Sequence, residues 1–153
     1  TYTIKARNIA NCDIELAQSK YYFTGARVRP AVKSVKIGDT ELYSGNYKIV
    51  SYTDNLSAGT AKIVIQGKNN LTGTVTKTFK INPRSVATCD VKLTKNPSNK
   101  YKPTVSVSYF DREIYKGNYT VSYVTSADKK TVKVTLTGKS NLAGKVTKTY
   151  TVV

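Results

Sequence analysis

The chain has 153 residues, with 25 Lys and Arg against nine Asp and Glu, two Cys, twelve Tyr, and no His, Trp or Met. Without His, neither a Ser-His-Asp triad nor a Cys-His pair can be built, and two distant thiols are too few for a zinc site. No apolar run approaches the roughly 20 residues that span a bilayer.

The predicted elements, in chain order, are strands separated by turns. "TYTI" (Thr1 to Ile4) matches "TFKI" at Thr78 to Ile81 and "TYTV" at Thr149 to Val152, so residues 1–4 read as the last strand of a preceding copy and the chain as a piece of a longer array. In "NCDIEL", alternation puts Cys12, Ile14 and Leu16 on one strand face. An aromatic stretch, "YYFTGARV", follows from Tyr21 to Val28. Turn signals come at Gly38, Ser44, Ala58 and Gly67. Between them, "GNYKIVSY" puts Tyr47, Ile49 and Ser51 on one face, and "TAKIVIQGK" aligns Ala61, Ile63 and Ile65. "NLTGTVTKTF" (Asn70 to Phe79) brings Lys77 into phase with Val75, Phe79 and Ile81. "INPRS", from Ile81 to Ser85, is a short junction containing a proline, expected to join two domains end to end with limited freedom.

The sequence then starts again. "TCDVKL" (Thr88 to Leu93) repeats "NCDIEL" at an offset of 77 residues. "GNYTVSYV" from Gly117 and "TVKVTLTGK" from Thr131 repeat the middle strands, and "NLAGKVTKTY" (Asn141 to Tyr150) agrees with "NLTGTVTKTF" at seven of ten positions, 71 residues on. The second copy reads as shorter in two places: it lacks most of "YYFTGARV" and one residue before Gly-Asn-Tyr. Matching blocks separated by length changes mark two copies of one folding unit. The reading is an all-β chain of two tandem Ig-like antiparallel β-sandwich domains, with residues 1–4 ending a preceding repeat, 5–82 as repeat 1 and 83–153 as repeat 2.

These motifs carry a resemblance. "Y-F-T-G" at Tyr22 to Gly25, Pro30, Asn55, "AGTA" at Ala58 to Ala61, and the run from Gly67 to Ile81 resemble the Ig-like tandem repeats of Gram-positive bacterial extracellular and cell-surface proteins. Copy two departs from the pattern: it has "SADKK" (Ser126 to Lys130) at the Ala-Gly-Thr turn and no Thr-Gly before Pro103. The resemblance implies an exported or surface-anchored protein in which the repeats are spacers or binding modules beside other domains of a longer chain.

Chemistry is sparse. Asp13 and Asp90 recur at equivalent positions in both copies and alternate outward, so no enzyme activity, cofactor or metal is expected. Cys12 and Cys89 occupy equivalent positions and read as reduced, buried packing residues. Lys77 and Lys148, inward by alternation on the last strand, read as an edge device or as following a bulge, in preference to a Lys–Asn isopeptide crosslink, which needs a buried acid. Asn55, Asn70 and Asn118 fit the glycosylation pattern, which is discounted in a bacterial product. The net charge of +16 divides as +7 over residues 1–82 and +9 over 83–153. Positive charge on both copies points to an anionic neighbour such as a wall polymer or acidic glycan. It comes with no nucleic-acid motif. The candidate ligand contacts are Tyr21 and Tyr22, in an aromatic patch with Phe23 beside Arg27 and Arg29, together with Lys68 and Lys139, which follow the same glycine in each copy. The expected function is a non-catalytic spacer or stalk. The alternative is a module that binds glycan or anionic cell-wall polymer.

Overall fold

Val, Ile, Thr and Tyr at alternating positions favour pleated strands that are buried on one side, and the chain is built from them. The structure, a computed structural model, describes all 153 residues and is all-β, of the sandwich class. There is no α-helix. Four three-residue 3-10 turns bend the chain between strands. No helix is long and apolar enough to cross a membrane.

The chain divides into two compact units, Thr1–Tyr21 with Arg27–Ile81, and Tyr22–Ala26 with Asn82–Val153. In the first, β2 (Asp13–Leu16), β4 (Val32–Ile37) and β5 (Thr40–Glu41) form one antiparallel sheet. A second sheet has the order β3-β9-β7-β6, from β3 (Lys20–Tyr22), β6 (Tyr47–Thr53), β7 (Gly59–Gly67) and β9 (Thr74–Asn82). A short parallel pair, β1 (Arg7–Asn8) with β8 (Leu71–Thr72), lies beside them. Ile9, Val35, Ile63, Ile65 and Ile81 are fully buried and make the core. Each such side chain contributes about 1.5–3 kcal/mol relative to exposure.

The second unit repeats this plan. One sheet contains β11 (Asp90–Thr94), β12 (Thr104–Tyr109) and β13 (Arg112–Glu113). The other contains β14 (Tyr119–Thr125), β15 (Thr131–Gly138) and β17 (Lys145–Thr151). The parallel pair is β10 (Arg84–Ser85) with β16 (Leu142–Ala143). Val86, Val107, Val132, Val134 and Leu136 replace their counterparts in the core at 0% exposure. One tie recurs across each core. Tyr52 Oη donates to Pro30 O at 2.7 Å, and Tyr123 Oη donates to Pro103 O at 3.2 Å.

Strand pairing corrects the expected positions of the length changes. Equivalent residues lie 77 apart at Cys12 and Cys89, 73 at Pro30 and Pro103, 72 at Val35 and Val107, and 71 at Tyr52 and Tyr123. The first step is the aromatic stretch. The second is a bulge: Glu15 pairs Ser34 but Leu16 pairs Val32, which leaves Lys33 unpaired. The equivalent strands of copy two pair without interruption. The third step, missed in the sequence, is another bulge. Ile49 pairs Ile65 and Ser51 pairs Val64, so Val50 is the extra residue. The expected face of Tyr47, Ile49 and Ser51 is therefore broken at Val50, and Tyr52 takes the inward position opposite Ile63. A bulge adds one residue without moving the rest of the strand to the wrong face.

Other expectations meet a mixed outcome. Cys12 and Cys89 are both free, Cys12 buried and Cys89 half-buried. Lys77 lies half-buried on the face of Val75 and Phe79, and Lys148 is exposed. Pairing along β9 and β17 with their neighbours is unbroken, so neither lysine follows a bulge. β17 is an edge strand, in keeping with the edge reading of Lys148. β9 is flanked by β3 near Lys80, whose N–H donates to Ser19 O at 2.9 Å. Thr1–Ile4 forms no strand, and Tyr2 and Ile4 are exposed.

Candidate functional site

The residues proposed as ligand contacts occupy three settings. Tyr21 is half-buried and packs edge-on against Phe79, with ring centroids 5.7 Å apart. Tyr22 is 58% exposed on β3. Arg27 and Arg29 are exposed, and with Ile49, Val50, Ser51, Tyr52 and Asn55 they line a shallow depression of about 500 Å³ in the first unit. Neither Tyr21 nor Tyr22 lines it.

Asn55 organises that depression. It is 2% exposed, and its Nδ2 donates to Val28 O at 2.8 Å. Its carbonyl accepts from Val28 N at 2.7 Å, and its Oδ1 accepts from Arg27 Nη1 at 3.4 Å. A buried amide whose groups are all bonded costs little and fixes the backbone around it. The result is a basic segment held beside exposed Ile49, Val50 and Leu56. This surface is available to an anionic ligand with an apolar face.

Lys68 and Lys139 occupy a third setting, and it occurs twice. Lys68 N donates to Asn46 O at 2.8 Å, and Lys139 N donates to Asn118 O at 2.9 Å, so each lysine is anchored by its backbone to a Tyr-x-Gly-Asn turn while its side chain is exposed. The tyrosines that open those turns, Tyr43 and Tyr115, are 77% and 79% exposed. Each ring lies across the glycine two residues on. A Cβ at Gly45 or Gly117 would fall 2.2 or 2.3 Å from the ring, so a larger residue there would push the ring aside. An exposed ring held from below in this way is a ready stacking surface. Sequence reasoning picked out Lys68 and Lys139 but missed Tyr43 and Tyr115. The available signal was the Tyr-x-Gly-Asn-Tyr spacing shared by both copies.

Asp13 and Asp90 are exposed. Glu15 is held below the usual carboxylate range by its hydrogen bond to Lys33, at 2.8 Å. Asp128 is lowered by hydrogen bonds from Ser126 Oγ and the Lys130 N–H. Burial raises both thiols. Of the glycosylation-pattern asparagines, Asn55 and Asn118 are buried, which withdraws them from any modifying enzyme, and Asn70 is exposed. No three His, Cys, Asp or Glu residues converge as a metal-holding group. Comparisons with protein-family models, with curated proteins and with solved structures return no match.

Proposed function

We propose that the chain is a pair of Ig-like repeats acting as a non-catalytic spacer in a longer, exported surface protein. The observation that carries this reading is duplication of the scaffold. The paired sheets, the parallel two-residue bridge, the tyrosine-to-proline tie and the 3-10 turns recur in both units. The basic depression at Arg27 and Arg29 is duplicated as well: a depression of about 450 Å³ in the second unit is lined by Lys102, Lys116, Val121 and Tyr123.

A second reading is favoured by one specific observation. The Tyr43 and Lys68 setting recurs as Tyr115 and Lys139. Two equivalent aromatic and cationic surfaces on one chain suit a repeating anionic glycan or wall polymer, since linked weak sites add through effective concentration. The test is a panel of neutral and anionic glycans against the chain and a Tyr43→Ala, Tyr115→Ala double variant, at low and high salt. The spacer reading expects, at low salt, only weak non-specific adsorption to anionic members that the double variant keeps, and no binding at high salt. Saturable binding that the double variant loses, and that persists at high salt, replaces it with the glycan-binding reading.

A further inference from the structure

The second unit contains a segment that sequence assigns to the first repeat. Tyr22–Ala26 comes from the aromatic stretch that copy two lacks, yet it belongs to the same compact unit as Asn82–Val153. Within that unit it is a seated strap. Phe23 is 5% exposed, and its N–H donates to Asn82 O at 2.9 Å. Arg84 Nε donates to Phe23 O at 2.5 Å, and the Arg84 guanidinium lies 3.7 Å over the ring of Tyr109. Gly25, at φ +76°, passes Ile114: a Cβ there would lie 3.5 Å from Ile114 Cδ1. Ile114 is 2% exposed.

The residues that receive the strap have equivalents in the first unit. Arg84 corresponds to Arg7, Tyr109 to Ile37, and Ile114 to Leu42. The backbone beneath them is the same. β1 pairs β8 as β10 pairs β16, and Leu42 N donates to Val35 O at 2.8 Å as Ile114 N does to Val107 O at 2.8 Å. What differs is cover. Arg7 is exposed where Arg84 is half-buried, and Leu42 is half-buried where Ile114 is buried.

We propose that the surface of Arg7, Ile37 and Leu42 is a docking site for the Tyr-Phe-Thr-Gly strap of another repeat of this kind. This chain's own strap is already seated in the second unit, so the occupant comes from a different repeat. The fit is chemical as well as geometric. Arg7 offers its guanidinium to a backbone carbonyl, and Leu42 offers an apolar wall to a glycine that needs positive φ. The strap carries no charge, which removes repulsion from a chain of net charge +16. Repeats joined in series would then interlock by strap and acceptor, and neighbouring units would stabilise one another.

The inference rests on the reading that such repeats occur in series, but its test is separate from the glycan panel. The full chain is titrated with an acetylated, amidated peptide of sequence YYFTGA and followed by amide and methyl NMR. Saturable shifts are expected at Arg7, Ile37 and Leu42, with at least tenfold weaker binding for Arg7→Glu, for Leu42→Asp and for a peptide carrying Gly25→Val. Arg7 is exposed, so its variant keeps the test valid if Leu42→Asp perturbs folding. Absence of saturable shifts, shifts confined to Arg84 and Ile114, or affinity unchanged by the Arg7 or glycine substitutions would overturn the docking site. Such a failure would leave the spacer reading standing, because that reading fails on glycan binding and not on peptide binding.

Discussion

Tyrosine hydroxyls behave in two opposite ways in this molecule. Those of Tyr52 and Tyr123 bond proline carbonyls, whereas those of Tyr119 and Tyr150 are buried without a partner. A buried hydrogen bond contributes about 0.5–1.5 kcal/mol net, and a buried unsatisfied hydroxyl costs about 1–3 kcal/mol. Tyr52→Phe and Tyr123→Phe should therefore lower stability by about 1 kcal/mol each. Tyr119→Phe and Tyr150→Phe should be neutral or stabilising, and copy one already has Phe79 at the position of Tyr150. Urea unfolding of the four variants checks the sign, and a loss of more than about 1 kcal/mol in Tyr150→Phe would contradict it. The thiols make a second comparison at this scale. Burial raises both, so both stay protonated at neutral pH and react slowly, because the thiolate is the nucleophile. Alkylation of the native chain should be slow at both, and slower at Cys12, which is 7% exposed. Rapid labelling of Cys12 without denaturant would contradict its burial.

The bulges are the element-scale feature that distinguishes the two repeats, and they separate what was legible in the sequence from what was not. Alternation correctly placed Ala61, Ile63 and Ile65 in the core because β7 is regular over its whole length. It failed at β6, where Val50 shifts the phase in mid-strand. A bulge is written in the sequence as one extra residue, with no composition of its own. Comparison of the copies reveals that an addition exists, but pairing alone says which residue is left over. Lys33 was hidden in the same way, and its ion pair with Glu15, exposed at both ends, contributes little. The Tyr43 and Tyr115 settings escaped because exposed aromatics look like ordinary strand residues until the glycine beneath each ring is seen. Deletion of Val50 should convert β6 to the regular pairing of β14, with Tyr47 still opposite Gly67 and Tyr52 opposite Ile63. The variant should fold with a loss below about 1 kcal/mol. Deletion of Val121 in the unbulged β14 should move Tyr123 off its inward position and cost several kilocalories, as a one-residue slip does. Equal losses in the two deletions, measured by thermal unfolding, would show that Val50 is not the extra residue.

At the scale of the whole molecule, one scaffold is written twice and is basic in both copies. The strap adds a condition. The second unit contains Phe23 and Gly25 from the first repeat, so Phe23→Ala should destabilise the second unit by about 3 kcal/mol or more and leave the tyrosine tie at Tyr52 intact. NMR melting of Tyr123 against Tyr52 reports the two units separately, and parallel loss at both would contradict the assignment of the strap. The positive charge acts at longer range. Most lysines are exposed, so each contributes little to stability, and on the proposed reading their summed field would attract an anionic surface weakly. The central claim is that the chain is a spacer whose contact with its surroundings is non-specific and electrostatic. The most direct measurement is co-sedimentation with purified Gram-positive cell walls, intact or stripped of their anionic polymer, at low and high salt. The account predicts adsorption to intact walls at low salt, and loss of it both on stripping and at high salt. Adsorption that survives stripping and high salt would contradict it and establish a specific glycan site.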